Sequence, residues 1–117
     1  MSKPTPTERL PKTIKVAGYS FSIELWSADT SHDMRRYGEC STQMQAIRLR
    51  RDFVTPEKAV DTFLHELMHA IYWAFGVRDE DDEERTVNLL GTGLMTVHRD
   101  NPWLAGWIEQ TLVEAAW

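Results

Sequence analysis

The sequence predicts a small α+β domain: a three-stranded N-terminal sheet packed on a helix that is followed by two further helices. Three observations carry this. Two stretches near the N-terminus, and a third at residues 46–50, alternate apolar and polar side chains, the period of a strand with one covered face. From residue 56 onward the apolar residues recur at three- and four-residue spacing, the period of helices buried on one side. The two patterns occupy separate parts of the chain, so strands and helices are segregated.

Residues 1–12 hold three prolines and little to bury, which predicts a flexible arm ahead of a single domain at 13–117. Ile14-Lys15-Val16 and Tyr19 to Leu25 then form two strands joined by a short turn at Ala17-Gly18. The polar stretch from Ser27 to Gly38 reads as a loop. Ala46 to Arg50 is the third strand, with Ile47 and Leu49 inward. Thr55-Pro56-Glu57 opens a helix: a capping hydroxyl, a proline in the first turn and an acid against the helix dipole. Gly76 stops it. Asp79 or a neighbouring acid caps a second helix carrying Val87, Leu90, Leu94 and Val97. Asn101-Pro102 ends that helix and a third runs from Trp103 to about Ala115. Its apolar side is Trp103, Leu104, Trp107, Ile108 and Leu112.

Composition bounds the function. The chain has 117 residues, 42% of them hydrophobic, enough for one core but not for large substrate-binding lobes as well. No apolar run approaches the roughly 20 residues of a membrane span, and the N-terminus lacks the apolar core of a secretion signal. Cys40 is the single cysteine, which excludes an internal disulfide and a cysteine-rich zinc finger and is compatible with a reducing cytoplasm. The net charge of −5 argues against nucleic acid as a partner. Arg35, Arg36, Arg48, Arg50 and Arg51 read as a solvated face balancing the acidic run Asp79 to Glu84.

One motif carries chemistry: His65-Glu66-Leu67-Met68-His69. Two histidines four apart on a helix project from one face and can meet one metal ion. Zinc accepts imidazole nitrogen, and a catalytic zinc site uses three protein ligands plus a water. Glu66, rotated about a quarter turn from His65, can take a proton from that water without being a ligand. Phe63, Leu64, Leu67, Met68, Ala70 and Ile71 put the motif on a buried helix, as the chemistry requires.

The third ligand must come from elsewhere. Tyr72 and Phe75 stand where a further histidine just beyond the motif would be. If the first two helices form an antiparallel hairpin about Gly76, Glu84 lies at the height of His69, roughly 10 Å from the turn at 1.5 Å per residue. Asn88 then faces His65 and can accept its spare ring N–H. His98 lies too far along the second helix to share the ion. Glu83 and Glu80 compete with Glu84. Glu84 shares a face with Val87, Gly91 and Leu94, while Glu83 aligns nearly as well with Val87, Leu90 and Leu94. Asp61, four before His65, reads as a helix-surface residue.

Thr62 to Ala70, with Glu84 and Asn88 downstream, resembles the gluzincin branch of the zincin metallopeptidases. The likeness is to its minimal single-domain forms, the ImmA/IrrE-type and short phage-encoded proteins, and covers roughly residues 44–100. It implies zinc held by His65, His69 and Glu84, with Glu66 as general base. It further implies peptide or protein substrates hydrolysed in a bacterial or phage-infected cytoplasm, and a sheet edge near Ala46–Arg50 that pairs with extended substrate. No second lobe follows to supply the family's oxyanion-stabilising Tyr or His, which leaves Tyr37, Tyr72 and His32 as candidates. A zinc-stabilised regulatory or protein-binding module with little turnover is the alternative. Glu66 argues for the enzyme, since a structural site needs no base beside the metal.

Overall fold

A computed structural model describes residues 3–26, 37–53 and 55–115. The elements in chain order are β1 (Thr13–Val16), β2 (Tyr19–Trp26), β3 (Gly38–Ser41), β4 (Ala46–Arg50), α1 (Pro56–Ala74), α2 (Glu83–Asp100) and α3 (Trp103–Ala115). The class is the predicted α+β, with four strands in place of three.

The sheet order is β1-β2-β4-β3. β1 and β2 form the expected hairpin, turning through Ala17 (φ 56°) and Gly18. β2 and β4 pair in parallel, and β4 pairs with β3 antiparallel. β4 is therefore internal, and the edge on its side of the sheet is β3. That corrects the expectation that Ala46–Arg50 is the edge. The strand at 38–41 was missed because Gly38-Glu39-Cys40-Ser41 shows neither alternation nor β-branched residues. Gly38 is needed there: a Cβ on it would press on Leu49 Cδ2 and Thr62 Cγ2, both at 3.0 Å. With only hydrogen at that position, β3 can lie directly on α1.

One face of the sheet builds the core. Ile14, Val16, Phe21, Ile47 and Leu49 are fully buried against Phe63, Leu67 and Ile71 of α1, with Val97 of α2 and Leu104 and Trp107 of α3 closing the cluster. On the other face Arg48 bridges Glu24 and Glu39, its register partners on β2 and β3, at 3.0 Å each. Arg51 pairs with Glu8 at 3.1 Å, so Arg48 and Arg51 of the predicted basic cluster are neutralised within the fold, while Arg35 and Arg36 lie outside the described residues.

The N-terminal segment is held more firmly than its prolines suggest. Thr7 is 1% exposed, its hydroxyl donating to the Arg50 and Arg51 carbonyls at the end of β4. Trp107 Nε1 donates to the Pro6 carbonyl at 2.9 Å. These are long-range contacts that leave no periodic trace in sequence. Asn101, 3% exposed, fixes the far end of α2: its side chain accepts from Lys15 N (2.9 Å) and donates to Lys15 O (2.7 Å) and Val97 O (2.9 Å). It thereby satisfies the backbone of Lys15 on the outer edge of β1. No helix among the described residues is long and apolar enough to cross a membrane.

Candidate metal centre

The motif helix forms for the predicted reasons. Thr55 Oγ1 accepts from Lys58 N (3.2 Å), Pro56 starts the first turn, and Gly76 (φ 70°) lets the chain leave the helix. Burial of Phe63, Leu67, Ala70 and Ile71 against the sheet sets the rotation of α1. That rotation leaves His65 and His69 on the exposed side and Glu66 between the two faces, 7% exposed.

The two histidine Nε2 atoms lie 3.3 Å apart, with ring planes at 76°. Two imidazole nitrogens each about 2.05 Å from a tetrahedral zinc are about 3.3–3.4 Å apart. The spacing therefore fits a shared ion without rearrangement. The Glu66 carboxylate completes the group: ligand atoms of His65, Glu66 and His69 all lie within 4.8 Å of one another, and among the described residues no other group of three does so. Burial pushes the Glu66 carboxyl above the usual carboxylate range, opposed by the neighbouring His65 and His69 rings and reinforced weakly by Glu39. A buried carboxyl of raised pKa beside two imidazoles is a stronger base than a solvated one.

A cleft of about 290 Å³ opens beside the motif, lined on α1 by Lys58, Asp61, Thr62, His65 and Glu66 and on the β3 side by Tyr37 and Gly38. Tyr37 is clamped. Its ring stacks on Phe53 with centroids 6.0 Å apart, and the Arg50 and Lys58 cations sit 5.4 and 4.8 Å from its centroid. Of the oxyanion candidates, Tyr37 alone is placed in the cleft. The Tyr72 hydroxyl donates to Asp79 at 3.2 Å, and His32 lies outside the described residues. Asp61, expected to be a plain surface residue, is exposed and lines the cleft. Cys40 sits on β3, where burial and then the Glu66 charge hold its thiol up to about 11.

Glu84 is not delivered to the cluster. Asp82 caps α2, accepting from Arg85 N at 2.8 Å, so Glu83 and Glu84 form the first turn and both are exposed. The inward side of α2 is marked by Gly93 and Val97, with Thr86, Leu90 and Asp100 partly buried on the same stripe. Glu83 continues that stripe at i−3 from Thr86, whereas Glu84 lies on the opposite side, with Asn88, Gly91 and Met95. The expected facing of Glu84 with His69 and of Asn88 with His65 is thus absent. The physical reason is Gly93: a Cβ there would stand 2.4 Å from Ile71 Cγ2 and 3.2 Å from Phe75 Cδ2, so α2 turns Gly93 to the end of α1 and Val87 and Leu94 outward. His98 is exposed on α2 and outside the cluster, as expected.

Comparison with family models, with curated proteins and with solved structures gives no match, so the site stands on its own geometry.

Proposed function

We propose that the chain is a zinc-dependent peptidase whose metal is held by His65 and His69. The single observation that supports this most is the 3.3 Å separation of the two Nε2 atoms beside a buried carboxylate. The third protein ligand comes from the first turn of α2. The sequence favours Glu84 with Glu83 as the alternative; both are exposed and neither belongs to the cluster of His65, Glu66 and His69. A zinc ion there supplies Lewis acidity to the scissile carbonyl and to the attacking water.

This chain's own residues do the rest. Glu66 accepts a proton from the water as it attacks and returns one to the leaving amine, work worth about 10²–10⁴-fold in rate. The outer edge of β3, which no described strand pairs, runs past Thr62 and Glu66 and offers backbone hydrogen bonds to an extended substrate. The Tyr37 phenol, fixed by its stacking and by two cations, is a candidate donor to the developing oxyanion.

The reading of a metal-stabilised binding module is separated by one comparison. A peptide-library digest with wild type and Glu66→Gln should show cleavage by wild type alone, with both proteins folded and equally loaded with zinc. Equal cleavage by the two would remove Glu66 from the mechanism, and no cleavage by a fully loaded wild type would favour the module.

A further inference from the structure

Outside the motif, the cleft beside the histidine pair is lined by one cation and one carboxylate, and they differ in what they touch. Lys58 is exposed, but its ammonium sits 4.8 Å from the centroid of the Tyr37 ring. Asp61 is exposed in the same cleft and has no hydrogen bond or ion pair among the described residues. It stands four residues before His65, on the same side of α1 and about 5.4 Å nearer the helix start. It is no part of the cluster of His65, Glu66 and His69. An ionised carboxylate only accepts hydrogen bonds, and neither Lys58 nor the hydroxyls of Tyr37 and Thr62 donate to this one.

The strand edge leads a bound chain to it. Gly38 lies against Thr62, and Cys40 lies near enough to Glu66 to feel its charge, so β3 and the motif end of α1 run alongside in the same sense. A peptide added to the outer edge of β3 turns every second side chain toward α1, at intervals of about 6.6 Å. That interval is close to one helical turn. A substrate with its scissile carbonyl at the histidines therefore sets the next side chain on that face beside Asp61.

We propose that Asp61 makes the cleft selective for a basic side chain, lysine or arginine, in the peptide that occupies it. This selectivity rests on the peptidase reading for the path of the substrate, so binding is measured apart from cleavage. Fluorescently labelled peptides, blocked at both ends, carry Arg, Gln or Glu at one position at a time in a neutral sequence. Their affinity for Glu66→Gln is measured by anisotropy, with and without added zinc, so that a chain without metal still reports. At one position the Arg peptide should bind about three- to fivefold tighter than the Gln peptide, the size an exposed ion pair supplies, and salt should erode the difference. Asp61→Asn in this background should abolish the preference. Asp61→Lys should turn it toward the Glu peptide, which a mere loss of structure cannot do, with circular dichroism and zinc content unchanged in both. No measurable binding, no position that separates Arg from Gln, or a preference that survives Asp61→Asn would overturn the proposal. So would zinc lost from Asp61→Asn, which would make Asp61 a ligand, or a Glu preference removed by Lys58→Gln, which would hand the selection to Lys58. Wild type that binds with the expected preference yet cuts none of these peptides would end the peptidase reading and leave the Asp61 subsite standing.

Discussion

Helices α1 and α2 are of similar length and neighbours in the chain, yet only α1 stands in the rotation its sequence foretells. In α1 the apolar residues fall on one side, and the histidine pair falls on the other. Only one rotation buries Phe63, Leu67 and Ile71 together, so the motif's orientation follows from pattern alone. In α2 apolar residues surround the axis: Val87, Leu89, Leu90, Leu94, Met95 and Val97. Apolarity alone does not single out one rotation, and close packing decides. The deciding residue is Gly93, which has no hydrophobic signature and fits where Ile71 and Phe75 leave no space for a side chain. A helix rotation is legible when apolarity is one-sided. Where it is not, small residues carry the information.

The largest expected effect comes from filling that contact. Gly93→Val should destabilise the fold by about 3 kcal/mol, because two γ carbons added to an already clashing Cβ must displace Ile71 and the Phe75 ring. Urea unfolding monitored by circular dichroism reads this. Gly91→Ala, on the open face, should instead stabilise by up to about 1 kcal/mol, the helix propensity gained where nothing is crowded. If both substitutions act alike, the rotation of α2 assigned by Gly93 is in error.

Next in size is Asn101→Ala. It removes three hydrogen bonds at a 3%-exposed site and frees the end of α2 from β1, a loss of about 2–3 kcal/mol. Hydrogen exchange sharpens the comparison. Protection at Lys15 and in the last turn of α2 should fall, while the motif turn of α1, anchored by Phe63 and Leu67, should keep its protection. Equal loss in both helices would mean that they are held as one unit.

The same physics separates what was legible from what was not. The β1–β2 hairpin, the caps of α1, the stop at Gly76 and the extent of α3 rest on local chemistry, and each stands where its residues place it. β3 was hidden because a four-residue strand of Gly, Glu, Cys and Ser exists only through its neighbours. Gly38 lets it lie on Thr62, and its partner β4 supplies the hydrogen bonds. The anchoring of residues 5–9 depends on hydroxyls reaching carbonyls more than forty residues away. At the candidate site, His65, Glu66 and His69 were legible because five consecutive residues on one helix fix their own geometry. The remaining ligand depends on how a second helix is rotated, and there Glu83 and Glu84 part.

Metal analysis of the purified chain tests the central claim most directly, with wild type, Glu66→Gln, the His65→Ala/His69→Ala double variant, Glu83→Ala and Glu84→Ala measured side by side after exhaustive dialysis. One zinc per chain is expected in wild type and Glu66→Gln, none in the double-histidine variant, and a far greater loss in Glu84→Ala than in Glu83→Ala if Glu84 is the third ligand. A greater loss in Glu83→Ala would move the third ligand to Glu83 while leaving the zinc site in place. Wild type free of zinc, or a double-histidine variant that keeps it, would contradict the metal centre itself.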